Sequence, residues 1–231
     1  MAVVFMANTQ HLYVRTDVLK ENGIAIPKTY EDVVSASEKI RAAGKMKYPY
    51  AAAYKAGWNL AEEFVNMYIG HGGEFFEAGS AKPSINNAKG VATLNMLKKL
   101  ADLSNPDYLT HDSEAIKVEW EAGNVAIMTL WASRSGTLLD DEGDAKITAA
   151  TKLVAPATVG GGNIPAATLW WDGFTLAKNR SDADAEASFR AMAHAASSKE
   201  MVAKAADQAV WLVEGFVPGP KSVGVIEAVK M

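Results

Sequence analysis

The sequence contains no cysteine among its 231 residues, which excludes disulfide bonds, zinc–thiolate sites and cysteine nucleophiles. It also lacks an excess of positive charge. The net charge is −4 and the isoelectric point is about 5.6, so nucleic acid is not expected as a partner. No apolar run has the length of a transmembrane helix, and the opening "MAVVFMANTQ" lacks the length and basic flank of a signal peptide. With 49% hydrophobic and 22% charged residues, the composition is that of an ordinary globular protein.

Motifs for catalysis and metal binding are also missing. The four histidines are scattered, and none pairs with a carboxylate at metal-ligand spacing. The glycine-rich "GGGN" at 160–163 is not followed by the residues of a phosphate-binding loop, and "WASRSG" does not match the G-x-S-x-G elbow of serine hydrolases. Clustered acidic residues leave a glycosidase-like pair as a less favoured hypothesis: Glu119, Glu121, Asp140, Asp141 and Glu142. We therefore predict a protein that is not an enzyme and has neither metal nor cofactor.

Strand and helix patterns alternate along the chain, which predicts an α/β fold with largely parallel sheets that bind ligands at strand ends. Two short strands are expected before residue 17, separated by a polar break at residues 8–10. Helices are expected between the cap Thr29 and Gly44, over 60–69, and at 85–103 with an apolar stripe. That stripe consists of Val91, Leu94, Leu97 and Leu100. A strand over 125–131 and a helical pair after Ser181 complete the pattern.

Tryptophan is frequent, and two of the six stand side by side in "ATLWWDGFTLAKN" at 167–179. Neighbouring side chains of a strand point to opposite faces, so one of Trp170 and Trp171 is expected to face a core and the other to face away from it. Asp172 and Gly173 then add a carboxylate and bare backbone. Two hypotheses stand at this point: a buried strand that carries two large aromatics, or the wall of a ligand site.

Three segments, in order, carry a family resemblance. "NTQHLYVRTDVLKENGIAIPKTYEDVVSASEKI" resembles the segment where family 1 extracellular solute-binding proteins cross between lobes. "VEWEAGNVAIMTLWASRSG" is similar to the strand of that family that ends in a tryptophan-containing ligand loop. "APATVGGGN" with "LWWDGFTLAKNRSDADAEASFRAMAHAASSKEM" is similar to the return into the first lobe. Together they cover most of residues 7–208, and they resemble the maltose-binding-protein-like, sugar-binding components of ABC importers.

The resemblance implies an α/β, periplasmic-binding-protein-like (type II) fold with two lobes. Residues 14–152 would form the complete second lobe, and residues 1–13 and 153–231 would supply the crossing segments and a partial first lobe. The chain is thus expected to be a fragment that lacks the N-terminal part of the first lobe and the C-terminal tail. Exposed strand edges of a partial lobe would favour self-association.

The resemblance also implies a site for a sugar or sugar alcohol in a cleft between the lobes. Aromatic faces pack on the C–H patches of a sugar, while carboxylates, amides and arginine bind its hydroxyls. For each tryptophan the alternative is core packing. The expected ligand-binding residues are Asn8, Thr9, Gln10, Trp58, Asn59, Trp131, Ser133, Arg134, Trp170, Trp171, Asp172 and Gly173.

The function implied is binding of a carbohydrate for delivery to the permease of an ABC importer. The full-length protein is then expected at the periplasmic or extracellular face of a bacterial membrane. The alternative from a different class is a truncated lobe that binds no ligand and is structural or self-associating. The sugar itself does not follow from the sequence, because selectivity depends on where side chains stand in the cleft.

Overall fold

A computed structural model describes residues 2–139 and 143–197, and their contacts divide the chain into two units. Within the described residues, unit 1 consists of 2–9, 132–136 and 169–197. Unit 2 consists of Gln10–Trp131 and Thr137–Thr168, apart from residues 140–142. This division does not test the predicted second lobe of residues 14–152, which remains a prediction. The chain passes between the units after Thr9, Trp131, Gly136 and Thr168.

The described elements alternate as the sequence pattern predicts. The strands are β1 (Ala2–Arg15), β2 (Tyr50–Ala51), β3 (Ile127–Trp131), β4 (Thr151–Val154) and β5 (Leu169–Thr175). The helices are α1 (Thr16–Glu21), α2 (Tyr30–Ala42), α3 (Trp58–Gly70), α4 (Ala88–Ala101), α5 (Ser113–Glu121), α6 (Ser135–Leu138), α7 (Ala145–Ala150) and α8 (Asp182–Ser197). None of these helices has both the length and the apolar content to cross a bilayer.

The predicted polar break at residues 8–10 is wrong, because β1 is one strand of 14 residues. Asn8 and Thr9 pair with Trp170 and Leu169, and Gln10 pairs with Trp131. Polar side chains do not prevent a strand when the backbone N–H and C=O groups find partners in the ladder. What changes at this point is the pairing partner, which is β5 for the first part of β1 and β3 and β4 for the second part.

The prediction of largely parallel sheets is also wrong. β1 runs antiparallel to β3, β4 and β5. Among the strands of the described residues, β2 and β3 are the one pair that runs in parallel. In unit 2 the strand order is β2-β3-β1-β4, so the first strand of the chain lies between later ones. Alternation of strands and helices predicts that helices cover a sheet, but it does not fix the direction of a strand inserted between others.

The core of unit 2 lies between this sheet and its helices. Every residue of β3 is buried, as are Leu12, Tyr13 and Val14 of β1. Trp120 of α5 is fully buried and donates its indole N–H to the Thr151 hydroxyl at 3.0 Å, so this tryptophan belongs to the core.

Helix α2 begins and ends where the sequence predicts. Thr29 accepts a hydrogen bond from the Asp32 backbone N–H, and the Asp32 carboxylate accepts one from the Thr29 N–H, which makes a capping box. Gly44 follows the helix with a φ of 69°, in the left-handed region that favours glycine.

The predicted stripe of α4 is half wrong. Leu97 and Leu100 are buried, but Val91 and Leu94 are more than half exposed. The buried face instead takes in Gly90, Thr93 and Met96. A stripe of branched aliphatic residues gives the period of the helix, whereas the face that packs closest to a neighbour is set by small residues such as glycine and threonine, which a search for apolar side chains passes over.

Unit 1 contains β5, the first part of β1 and α8. β5 pairs antiparallel with Ala2–Thr9, with an irregularity in register between Val4 and Met6. Ser181 caps α8 by accepting a hydrogen bond from the Asp184 N–H at 3.1 Å. The second helix predicted after α8, the acidic residues Asp140, Asp141 and Glu142, and Trp211 lie outside the described residues.

Candidate functional site

An aromatic pair stands at the start of α3 in unit 2. Trp58 is the first residue of this helix and follows Gly57, whose φ of 108° lies in the region that favours glycine. Trp131 is the last residue of β3. The two indole rings stack with centroids 6.2 Å apart and planes 21° apart. Because Trp131 is 7% exposed and Trp58 is 54% exposed, the pair is a supported aromatic surface, here named the indole platform.

A buried polar network lies along the same helix. The Gln10 side-chain amide donates to Glu63 Oε1 at 2.8 Å, and the Gln10 carbonyl oxygen accepts from Asn66 Nδ2 at 2.7 Å. Each of the three residues is 2% exposed. Burial raises the pKa of the Glu63 carboxyl to about 8, despite the hydrogen bond from Gln10 that lowers it. Glu63 is therefore mainly a neutral carboxylic acid at pH 7.

Two further polar side chains of α3 lie near its first turn. Glu62 is half-buried and accepts a hydrogen bond from the Thr168 hydroxyl, and Asn59 is half-buried. Glu62, Glu63 and Asn66 are not among the site residues predicted from the sequence. A signal was available, because Glu63, Asn66 and Met67 share one face of an apolar helix, where a polar residue needs a partner.

In unit 1, Asn8 and Ser133 bind each other twice. The Asn8 amide donates to Ser133 Oγ at 3.0 Å, and Asn8 Oδ1 accepts the Ser133 backbone N–H at 3.1 Å. Thr9 is buried and Arg134 is half-buried. Two segments far apart in sequence are thus held together in unit 1 by side chains that the sequence analysis selected.

The tryptophan pair of β5 differs from the expectation. Trp170 is 40% exposed and Trp171 is 54% exposed, so neither indole is buried against a core in the described residues. The Trp170 indole N–H donates to Asp172 Oδ1 at 3.2 Å, which ties the aromatic ring to the carboxylate two residues along the same face. Gly173 lies opposite Val4 in the ladder.

The structure therefore gathers the predicted site residues into two sets. Unit 2 contains Gln10, Trp58, Asn59 and Trp131. Unit 1 contains Asn8, Thr9, Ser133, Arg134, Trp170, Trp171, Asp172 and Gly173. Each set combines exposed indole with amide, hydroxyl or carboxylate groups, which is the chemistry of hydroxyl-rich ligands. Among the described residues, no three histidine, aspartate or glutamate side chains are grouped so that they could hold a metal ion.

Comparison with known proteins decides the family. The model of the bacterial extracellular solute-binding protein family matches residues 3–203. The chain belongs to this family. A curated relative of this solute-binding protein, a probable amino-acid ABC transporter periplasmic-binding protein from Sinorhizobium fredii (strain NBRC 101917 / NGR234), is 29% identical over 117 residues. That match covers 50% of this chain and 26% of the relative.

Solved structures of solute-binding proteins share the fold. Maltose-bound MalE3 of T. maritima aligns with a TM-score of 0.78 at 22% identity, over 90% of this chain and 53% of its own. A solute-binding protein from Agrobacterium radiobacter K84 in complex with ribitol aligns with a TM-score of 0.75 at 22% identity, over 89% and 51%. The chain thus spans about half the length of these structures and about a quarter of the curated relative.

These similarities confirm the predicted family and the type II periplasmic-binding-protein fold, with partial coverage. They also confirm that the chain belongs to a non-enzymatic class of transport component. A third structure with the same fold, a solute-binding protein from Agrobacterium vitis S4 with bound D-mannitol, aligns with a TM-score of 0.74 at 17% identity, over 89% of this chain and 49% of its own.

Proposed function

We propose that this solute-binding protein binds a sugar or sugar alcohol. The observation that carries the proposal is the indole platform, in which a buried Trp131 supports a half-exposed Trp58 at the start of α3. A sugar presents a flat C–H patch on one face and hydroxyls around its edge. The exposed indole face suits the patch, and polar groups on the first turns of α3, Asn59 and Glu62, suit the edge.

The residues of unit 1 supply the same chemistry a second time. Trp171 offers an exposed indole, and Asp172 offers a carboxylate whose partner is the Trp170 N–H. Placement of one ligand between two lobes, and delivery of it to an ABC permease at the outer face of a bacterial membrane, are the finer parts of the proposal. Their support is family membership together with the resemblance in the three sequence segments.

The test is isothermal titration calorimetry of the chain against three hydroxyl-rich ligands, maltose, ribitol and D-mannitol, here together called the polyols, with amino acids as the contrast panel. The name of the curated relative makes amino acids the informative contrast. Binding of a polyol that Trp58→Ala weakens at least tenfold supports the proposal. Polyol binding that Trp58→Ala leaves unchanged, or a response to amino acids alone, contradicts it.

The alternative is a lobe that self-associates and binds no ligand, and the exposed apolar residues of unit 1 favour it. Leu169 is 68% exposed, Trp171 54% and Phe189 43%. Exposed apolar side chains promote association where they form one continuous patch. Sedimentation velocity over a hundredfold range of concentration tests it, since a monomer at every concentration contradicts self-association whatever the calorimetry shows.

A further inference from the structure

The Gln10–Glu63–Asn66 network occupies a particular rung of the unit 2 sheet. Gln10 of β1 lies directly opposite Trp131 of β3 in the antiparallel ladder. Directly opposed residues of neighbouring strands project to the same face of a sheet. The Gln10 amide and the Trp131 indole therefore both project toward α3, where one meets Glu63 and Asn66 and the other meets Trp58.

Helix α3 thus contacts one rung of the sheet at two separate points. The first contact is aromatic, at the first residue of the helix. The second is polar, five and eight residues later, about one and a half to two turns along a helix of 3.6 residues per turn. Two points of attachment fix both the height of a helix along a strand and its rotation about its own axis.

The polar contact has a cost that an apolar contact would not have. Three polar side chains are buried, and the side-chain oxygen of Asn66, Oδ1, has no hydrogen-bond partner among the described residues. Apolar side chains of similar volume would fill the space with less desolvation, but they tolerate sliding and rotation. The two bonds at 2.7 and 2.8 Å do not, because hydrogen bonds weaken steeply with distance and angle.

We propose that Gln10, Glu63 and Asn66 are positioning residues that set the offset and angle of the indole platform by locking α3 to the Trp131 rung. Gln10, expected from the sequence to contact ligand, acts instead through Glu63 and Asn66, since its amide nitrogen and oxygen are both engaged in unit 2. The effect on sugar affinity rests on the proposed function, whereas the effect on the geometry of the platform does not.

The test measures the geometry of the indole platform in the absence of ligand. Two stacked indoles give an exciton couplet in far-ultraviolet circular dichroism, and the difference between a protein and its Trp58→Phe version isolates the contribution of this pair from the other tryptophans. The couplet is measured in wild type, Gln10→Ala, Glu63→Ala and Glu63→Gln. Ile116→Ala, a cavity in the core at α5, controls for loss of stability alone.

We expect Gln10→Ala and Glu63→Ala each to remove at least half of the couplet, and the double variant to lose no more than either one. Glu63→Gln and Ile116→Ala are expected to retain the couplet, since glutamine can still accept the Gln10 bond through its carbonyl. A full couplet in a folded Gln10→Ala or Glu63→Ala protein overturns the proposal. A couplet lost equally in Ile116→Ala overturns it too, because the platform would then follow stability.

Ionisation of Glu63 provides a second measurement if the alanine variants do not fold. The titratable groups around Glu63 are Glu62 on the same helix and Tyr30, Tyr50 and Tyr54, whose pKa values burial raises. Ionisation places a charge on the buried Glu63 carboxyl, which disfavours its packed position. Raising the pH from 6 to 9, through the Glu63 pKa of about 8, is expected for this reason to change the wild-type couplet and leave that of Glu63→Gln unchanged. The same change in both proteins contradicts the assignment. A normal couplet response without any sugar binding contradicts the proposed function and leaves the positioning role standing.

Discussion

Glu63→Gln is expected to stabilise the protein by an amount that grows with pH, because the native carboxyl holds its proton more tightly than the unfolded one. A glutamate carboxyl in the unfolded chain has its ordinary pKa of 4.5, and burial raises the pKa of Glu63 in the native protein to about 8. Between these values the native state binds more protons than the unfolded state, so stability falls as pH rises. The contribution is fully present below about pH 4.5 and lost as pH rises through 8.

The magnitude follows from the linkage slope of about 1.4 kcal/mol per pH unit for one proton. From pH 5 to pH 7 the wild type should lose about 2–3 kcal/mol through Glu63, while the glutamine variant lacks this term. Native aspartates with lowered pKa values, Asp17, Asp32, Asp112 and Asp144, contribute in the opposite direction and are common to both proteins. The difference between the two proteins therefore isolates Glu63.

The assay is urea unfolding followed by tryptophan fluorescence at pH 5, 6 and 7, with wild type and Glu63→Gln in the same buffers. The difference in free energy of unfolding should favour the variant progressively as the pH rises. Glu62→Gln is the matched control, since that carboxylate is half-buried on the same helix and bonded to Thr168. A difference for Glu63→Gln that stays within about 0.5 kcal/mol across the range refutes the conclusion that Glu63 is neutral in the native protein.

Further changes test other contacts. Trp170→Ala and Trp171→Ala should weaken sugar binding by about 1–3 kcal/mol, one much more than the other, and equal negligible losses in calorimetry would contradict a ligand role for β5. Thr29→Ala should cost about 1 kcal/mol in urea unfolding through loss of the α2 capping box, and an unchanged midpoint would show that the box contributes nothing. Trp120→Ala should cost about 3–5 kcal/mol through a core cavity and the lost bond to Thr151, whereas a loss under 1 kcal/mol would mean that the site collapses.

The sequence was sufficient to predict those features of the fold that depend on residues close together in the chain. The capping box of Thr29 and Asp32 and the end of α2 at Gly44 depend on residues within a few positions of each other, and both are confirmed. The order of three segments along the chain was also sufficient to predict the family, which the match of the family model confirms.

Features that depend on distant residues were not accessible in the same way. The continuity of β1 through Asn8, Thr9 and Gln10 depends on strands more than a hundred residues away, which supply the backbone partners. The strand directions likewise follow from where β1 is inserted in the sheet. The burial of Gln10 depends on Glu63 and Asn66, and a single sequence does not show that these three meet.

The exposure of the two β5 tryptophans also depends on distant residues and could not be predicted from the local sequence. Strand alternation places Trp170 and Trp171 on opposite faces, which predicts that one of them faces a core. Alternation says nothing about whether a layer covers either face. In the described residues both indoles are 40% exposed or more.

Calorimetric titration of the polyols into wild type and Trp58→Ala is the most direct measurement of the central claim, that the indole platform binds a sugar or sugar alcohol. Saturable binding of at least one polyol by the wild type, weakened at least tenfold in a folded Trp58→Ala protein, is the predicted result. A cooperative, folded wild type that binds none of the polyols, or that binds one equally well without Trp58, would contradict the claim.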